Sequence, residues 1–286
     1  MGLDFQSEID ALKSVDWEAE IAQIVDMNTI TYPDYYQVPF HAYEKGNLSV
    51  EAALEVTVAA TSVHATVMDP EGKRLDPEGD TKLRSSYSAC MKQLLHDMGA
   101  ATTAPIRDIL DIGAATGLSS MALLRAFPNA NVTGIDISPH FVAVGKYLQR
   151  QREQQSGTDE PFSLVHGVAE HTPFADASFD LVSICLVCHE LPEHASRAIF
   201  KEAGRLLRPG GALAIMEMNP GSPVFQRVMK NPVAYTVFKS TEPYLLEYVE
   251  MDMAAAIKDA GVFGDDVRQL ENSPRHRTVV AIKQAT

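Results

Sequence analysis

The chain has 286 residues, 45% of them hydrophobic, and a formal net charge of −14, which suits one large domain, or a core domain with an extension, around a normal hydrophobic core. A negative charge of this size repels polyphosphates, so we do not expect nucleic acid as a partner. Three cysteines cannot build a disulfide framework, and no apolar run suits stable membrane insertion or a signal peptide, so we expect a cytoplasmic protein. The oligomeric state stays open.

The first third of the chain shows helical patterns near residues 6–28, 49–66 and 82–99. The first two flank an aromatic loop, "TYPDYYQVPFHAYEKGN", at residues 31–47. No strand pattern stands out here, so we interpret residues 1–100 as a helical N-terminal extension.

From about residue 106, short apolar runs alternate with amphipathic stretches, as in a doubly wound α/β fold with a parallel sheet covered by helices on both faces. We assign residues 101–286 to this domain. The predicted strands are residues 106–112, 131–137, 162–168, 179–187, 212–218 and 278–284. Helices fall between the first five, and "RPGG" (208–211) is expected to stop the last of them.

A glycine turn follows the first strand in "LDIGAATG", residues 110–117. Gly113 and Gly117 let the backbone approach a ligand, and the next helix offers free N–H groups, although glycine also serves such turns for geometry alone. The pattern departs from GxGxxG because the glycine after Gly113 comes four residues later. NAD binding is therefore disfavoured.

Asp136 ends the second strand, about twenty residues after the glycine turn. Its two oxygens match the vicinal hydroxyls of a ribose. The alternative is that an acid here caps the helix that starts near Pro139, but Ser138 fits that role better.

Four motifs in order, "DIGAATG", "GIDIS", "AEHTPFADASFDLV" and "LLRPGGALAIMEMNP", resemble those of class I S-adenosylmethionine-dependent methyltransferases. The resemblance covers about residues 85–285 and is strongest to the small-molecule enzymes of the quinone and sterol type (methyltransferase type 11). It implies a Rossmann-like fold with a seven-stranded, mostly parallel sheet, S-adenosylmethionine as cofactor, and a small-molecule acceptor whose pocket the N-terminal extension helps to form.

The resemblance also implies roles for individual residues. The glycine turn would hold the methionine part of the cofactor, Asp136 the ribose, and residues of the second and third motifs the adenine side. Val168 stands where the family usually has an acid, which leaves the backbone of Ala169 and the side chain of Glu170 for the adenine. The implied cofactor-binding residues are Asp111, Gly113, Ala115, Gly117, Asp136, Ile137, Ala169, Glu170, Cys185 and Leu186.

The stretch "SICLVCHEL", residues 183–191, contains the CxxCH spacing of a covalent haem site. Side chains an odd number of positions apart on a strand point to opposite faces, so Cys185 and Cys188 cannot both hold one haem or metal if the strand continues through them. We therefore expect no haem and no metal, and we interpret both thiols as small apolar groups.

His189 and Glu190 leave the carboxyl end of the fourth strand, where open α/β sheets bind ligands. Imidazole can accept a proton from a methyl acceptor, so we select His189 and Glu190 as catalytic candidates; the alternative is that His189 only packs at the strand tip. An oxygen-ligand metal site including Glu217 and Asn219, for catechol methylation, is a further alternative. The substrate-binding candidates are Tyr32, Tyr35, Tyr36, Tyr43 and Asn219. The alternative is that the tyrosine rings only anchor the extension to the domain.

The main functional hypothesis is methyl transfer from S-adenosylmethionine to a small-molecule acceptor by in-line displacement, which would place the enzyme in EC 2.1.1. Alignment of the acceptor supplies much of the rate in such a reaction, and a base is needed only when the acceptor must lose a proton. A nucleotide-dependent oxidoreductase and a non-catalytic S-adenosylmethionine-binding protein are the alternatives. The atom that is methylated, carbon, oxygen or nitrogen, stays open.

Overall fold

The computed structural model describes residues 5–24, 30–41, 43–100 and 105–284. In its N-terminal third the helices are α1 (Phe5–Lys13), α2 (Trp17–Ala22), α3 (Val50–His64) and α4 (Gly79–Asp97). The predicted helix over 6–28 is thus divided into α1 and α2, and residues 25–29 lie outside the described residues. The other two predicted helices are confirmed, with α4 starting three residues earlier than expected.

The second part of the chain alternates strands and helices as predicted. The strands are β1 (Asp108–Ile112), β2 (Asn131–Asp136), β3 (Phe162–His166), β4 (Phe179–Cys185), β5 (Leu207–Met218), β6 (Phe263–Glu271) and β7 (His276–Lys283). The helices are α5 (Leu118–Ala126), α6 (Pro139–Ser156), α7 (Glu193–Leu206), α8 (Pro223–Met229), α9 (Pro232–Thr241), α10 (Leu245–Glu250) and α11 (Met253–Lys258).

Among the described residues the strands form one sheet in the order β3-β2-β1-β4-β5-β7-β6. Strands β1 to β5 are mutually parallel, and β7 runs antiparallel to both β5 and β6. The predicted doubly wound α/β fold is confirmed. The strand order reverses between β1 and β4, so the carboxyl ends of these two strands border the crevice where such sheets bind ligands.

Alternation along the buried strands divides the core into two layers. Leu110 of β1 packs in the same cluster as Phe200 of α7 and Tyr248 of α10. Its neighbour Ile109 packs in the other cluster, with Tyr87 of α4. The helix α4 therefore covers one face of the sheet, and α7 and α10 cover the other.

A third cluster attaches the beginning of the chain to the sheet domain. Trp17 of α2 and Ala53 of α3 pack against Phe141 and Val144 of α6. Since α6 follows Asp136 directly, this packing places the aromatic loop beside the carboxyl end of β2.

Two details of the sequence prediction are corrected. "RPGG" lies inside β5, because α7 already ends at Leu206 and β5 begins at Leu207. Strand β6 was not predicted, since it is an edge strand with four charged side chains in "FGDDVRQLE", and edge strands carry charge where they face solvent. Among the described helices, none is both long and apolar enough to cross a bilayer.

Candidate active site

The glycine turn between β1 and α5 has an unusual backbone path. Gly113 and Gly117 have φ of +68° and +97°. The N–H groups of Gly113 and Ala114 both donate to the Ile135 carbonyl, at 2.9 and 3.1 Å, which folds the turn over the end of β2. The turn thereby brings the N-terminal end of α5 next to Asp136.

Gly113 is needed for packing as well as for its backbone angle. A Cβ atom added there would lie 2.5 Å from Cγ2 of Val187, whereas at Gly157, with φ of +70°, an added Cβ would meet nothing within 4 Å.

We expect Gly113→Ala to lower the free energy of unfolding by about 2–4 kcal/mol, because left-handed backbone strain and overpacking act together. Gly157→Ala should lower it by about 1–2 kcal/mol, because only the backbone strain acts there. Urea unfolding measures both; equal losses would contradict the packing role, and Val187→Ala should recover part of the Gly113→Ala loss.

Two residues other than glycine have left-handed backbone angles at this edge of the sheet, Ala115 and Leu186. The full set in the described part of the chain is His41, Ala115, Ala177 and Leu186, with φ between +47° and +61°. Ala115 lies in the glycine turn and Leu186 follows β4. Such strained positions cluster at ligand-binding and active sites.

Asp136 organises the carboxyl end of β2. Only 8% of its surface is exposed, and its two oxygens each accept one backbone N–H bond, Oδ2 from Ala115 and Oδ1 from Ser138, both at 2.8 Å. Each oxygen keeps a second lone pair for a ligand hydroxyl. Burial raises the pKa of Asp136 to about 6, although the two N–H donors hold it lower. The expected N-cap is confirmed at Ser138, whose Oγ accepts the Phe141 N–H at 3.3 Å.

Asp111 is fully buried at the end of β1. Its Oδ2 accepts hydrogen bonds from Ser119 and Ser120 at 2.5 and 2.7 Å. Its Oδ1 has no hydrogen-bond donor among the described residues. Burial raises the pKa of Asp111, although the hydroxyls of Ser119 and Ser120, the charge of Arg84 and the nearby Ser183 hydroxyl oppose that shift. A buried carboxylate oxygen without a donor costs free energy, so this atom is a candidate contact for a cationic ligand group.

The adenine-side candidates lie under the aromatic loop. Tyr35 donates a hydrogen bond to Oε1 of Glu170, and the centre of the Tyr32 ring lies 6.4 Å from that of the His166 ring. Burial, and then the bond to Glu170, raise the pKa of the Tyr35 hydroxyl, so it stays a neutral donor. The loop therefore closes over the end of β3, beside Ala169 and Ile137.

The CxxCH pattern is divided between the two faces of the sheet. Cys185 ends β4 and packs in the α4 layer, whereas Cys188 packs in the α7 layer. Strand β4 stops at Cys185, and Cys188–Glu190 form a 3₁₀ turn. The strand therefore does not continue through Cys188, as the prediction from alternation assumed. The two thiols nevertheless lie on opposite faces of the sheet. Within the described ranges no cluster of His, Cys, Asp and Glu has a metal-binding arrangement.

His189 forms a buried ion pair with Glu217 of β5. Its Nδ1 lies 2.9 Å from Oε2 and 3.1 Å from Oε1 of Glu217, and its backbone N–H donates to Oε1 at 3.3 Å. Burial alone would lower the pKa of His189, but the charge and hydrogen bond of Glu217 reverse this and raise it to about 10. The raised pKa favours the protonated imidazole, which cannot accept a proton, so this pKa, and not the geometry, argues against His189 as the general base.

This pair makes stability depend on pH. The folded-state pKa of His189 lies above the unfolded value of about 6.5, so the contribution is complete below about pH 6.5 and is lost as the pH rises toward 10. We expect the free energy of unfolding of the wild-type chain to fall over that range more than that of His189→Gln, with the exposed His171→Gln as control. Urea unfolding at both ends of the range measures this, and parallel pH profiles for wild type and His189→Gln would contradict it.

Glu190 lies in a second polar cluster, formed by separate parts of the chain. Asn47 Nδ2 donates to Oε2 of Glu190 at 3.3 Å. His41 Nε2 lies 4.0 Å from Oε1 of Glu190 and 2.9 Å from Oε1 of Glu242. Burial raises the pKa of Glu190 to about 7, against the charges of His41 and His189. A carboxyl group with this pKa can accept a proton near neutral pH.

The substrate-binding candidates occupy different surroundings. Tyr36 lies close enough to Asp136 and Glu190 for their charges to raise its pKa further, after burial has raised it well above 10. Tyr43 is directed elsewhere, because its hydroxyl donates to Oε2 of Glu55 at 2.6 Å. Asn219 uses its side chain to hold its own loop, with bonds to Glu271 at 3.1 Å and from the Gly221 N–H at 3.1 Å. Tyr35 and Tyr36 thus lie beside the cofactor and catalytic candidates, and Tyr32 lies over the end of β3.

Sequence reasoning missed Asn47, His41, Glu242 and Arg84. Arg84 extends from α4 to the end of β4, where its Nη1 donates to Sγ of Cys185 at 3.4 Å. None of the four lies in a motif. The only sequence signal was the density of polar and aromatic residues in the loop that contains His41 and Asn47.

Comparisons with known proteins find a family match in the middle of the chain. Residues 110–215 match the family model described as "Methyltransferase domain". This segment contains the glycine turn, Asp136, Glu170 and the His189–Glu190 turn. The matched segment is thus similar to a methyltransferase domain.

Curated relatives also match part of the chain. The demethylmenaquinone methyltransferases of Staphylococcus aureus strains JH9 and Newman are each 34% identical over 139 residues, which is 48% of this chain and 53% of each relative. The chain thus spans about half the length of the curated relatives it matches.

Solved structures share the fold of this chain. A putative S-adenosyl-L-methionine-dependent methyltransferase from Methanococcus maripaludis superposes with a TM-score of 0.55 at 13% identity, covering 84% of this chain and 95% of that one. A SAM-dependent methyltransferase from Aquifex aeolicus gives 0.51 at 17% identity, covering 81% and 98%. At these identities the likeness establishes the fold alone.

Proposed function

We propose that this chain transfers a methyl group from S-adenosylmethionine to a small-molecule acceptor. The observation that carries the proposal is the arrangement of Asp136 and Asp111 around the glycine turn, inside the segment that matches the methyltransferase domain. Asp136 has two oxygens with free lone pairs, and Asp111 has a buried oxygen without a donor. A ribose diol and an ammonium group would satisfy these atoms.

Different residues of the cofactor site would contact different parts of S-adenosylmethionine. Asp136 would accept both ribose hydroxyls, and Ile137, Ala169 and Glu170 would border the adenine. The glycine turn, with Ala115, and the strained Leu186 after β4 would border the methionine part. When bound, S-adenosylmethionine supplies a methyl group on a sulfonium centre, and the neutral thioether is the leaving group.

The acceptor would lie between the end of β4 and the aromatic loop. Glu190 is suited to take a proton from an acceptor hydroxyl or acidic carbon, because it lies in this crevice with its pKa raised to about 7. His189 is better suited to a positioning role, since its ion pair with Glu217 fixes the turn that carries Glu190. Tyr35 and Tyr36 would exclude water and pack against the acceptor.

The wider predictions follow the same reasoning. A hydroxylated aromatic or quinol is the first acceptor class to test, because the matched relatives are named demethylmenaquinone methyltransferases and the crevice combines tyrosines with a carboxyl base. Cytoplasmic location and activity without metal remain predictions.

The test is transfer of a labelled methyl group from S-adenosylmethionine to hydroxylated aromatics, quinols and sterol-like acceptors, with release of S-adenosylhomocysteine measured in parallel. Labelled product from wild type and none from Asp136→Ala is the expected result. Absence of transfer to every acceptor, together with NAD-dependent oxidation or reduction of one of them, would replace the proposal with the oxidoreductase alternative.

A further inference from the structure

Arg84 presents a buried cation at the carboxyl end of β4. It lies on α4, outside the segment that matches the methyltransferase domain, and only 9% of its surface is exposed. Its Nε donates to Oδ2 of Asp80 at 2.9 Å, and Nδ1 of His64 contacts the other oxygen of Asp80 at 2.7 Å. These contacts hold the guanidinium in one orientation.

The outer part of that guanidinium lacks strong acceptors. Nη1 donates to the sulfur of Cys185 at 3.4 Å, and a thiol sulfur is a weak acceptor. Nη2 donates no hydrogen bond to a described residue. It does not belong to the fully buried atoms that lack a partner, so it is accessible to a ligand. Arg84 therefore keeps donors available beside Cys185, the last residue of β4.

Asp111 supplies a carboxylate, of opposite charge to Arg84, on the same side of the sheet. Ile109, two residues before Asp111 on β1, packs in the same layer as Cys185 and the α4 side chains, so Asp111 points toward that layer too. Arg84 is close enough for its charge to act on Asp111. Asp111 Oδ1 nevertheless has no donor among the described residues.

An available guanidinium and an unpartnered carboxylate oxygen lie at the carboxyl ends of the neighbouring strands β4 and β1. Their charges are complementary to the carboxylate and the ammonium group of an α-amino acid. We propose that Arg84 binds the carboxylate of the methionine moiety of S-adenosylmethionine, while Asp111 faces its ammonium group. The inference rests on the proposed function and extends its cofactor site to the N-terminal helices. Guanidinium and carboxylate form paired, charge-assisted hydrogen bonds, and the Asp80–His64 contacts pre-organise the guanidinium for this role.

Two ligands separate this role from a structural one. S-adenosylhomocysteine carries the amino acid group, whereas 5′-methylthioadenosine shares its adenosine and sulfur but lacks that group. Calorimetric titration of the full chain measures the affinity for each ligand. We expect Arg84→Met to weaken the binding of S-adenosylhomocysteine about 30- to 100-fold and to leave the binding of 5′-methylthioadenosine unchanged. Arg152→Met, which removes the ion pair between Arg152 of α6 and Glu160, should change the affinity for neither ligand.

A conservative variant covers the case in which Arg84→Met does not fold. Arg84→Lys keeps the charge but loses the paired hydrogen-bond geometry. It should therefore weaken the binding of S-adenosylhomocysteine about tenfold and leave the binding of 5′-methylthioadenosine unchanged. Equal weakening of both ligands, or no change for either, would overturn the inference while leaving the proposed function standing. If wild type binds neither ligand, the proposed function fails as well.

Discussion

Asp136→Ala is expected to weaken the binding of S-adenosylhomocysteine about a hundredfold or more, because two hydrogen bonds from ribose hydroxyls to a charged acceptor are lost. Asp136→Asn keeps one acceptor oxygen and should lose about tenfold. Calorimetric titration of both variants measures the effect.

The same substitution tests the structural role of Asp136. Asp136→Ala leaves the N–H groups of Ala115 and Ser138 without their acceptor, so we expect a loss of about 1–3 kcal/mol in the free energy of unfolding for each group that water cannot reach. Asp108→Ala is the matched control, since it removes a carboxylate from the other end of β1 that pairs with Arg208 at 2.9 Å. A folded Asp136→Ala protein with wild-type affinity would contradict the assignment of the ribose site.

Glu190→Gln is expected to lower the rate of methyl transfer about 10²- to 10⁴-fold if the acceptor loses a proton, with no change in affinity for S-adenosylhomocysteine. The ionised carboxylate is the active base, and burial raises its pKa to about 7. The wild-type rate should therefore rise with pH through about 7, and Glu190→Gln should lose that rise.

Steady-state rates across this pH range, with the best acceptor from the labelled-methyl screen, measure the prediction. Glu193→Gln is the control, because Glu193 lies three residues further on and pairs with Arg197 on the outside of α7. A Glu190→Gln enzyme that keeps the wild-type rate and pH profile would remove Glu190 from the chemistry.

The sheet could be predicted from the sequence because its evidence is local. Buried parallel strands appear as continuous apolar runs, and the turn at Gly113 needs a residue without a side chain where Val187 packs. Strand β6 escaped prediction because an edge strand does not show that apolar pattern.

The site was predictable only where one motif contained both the residue and its partner. Asp136 and Ser138 meet this condition. The role of His189 depends on Glu217, 28 residues away on the next strand, and nothing near His189 in sequence shows that its pKa is raised. Arg84 reaches Cys185 across 101 residues, so its position follows only from the packing of α4 on the sheet.

The most direct test of the central claim is a calorimetric titration of the wild-type chain with S-adenosylhomocysteine and, separately, with NAD. Saturable binding of S-adenosylhomocysteine, displaced by S-adenosylmethionine and absent for NAD, is the predicted result. Binding of NAD without binding of S-adenosylhomocysteine would contradict the assignment of the cofactor site and, with it, methyl transfer.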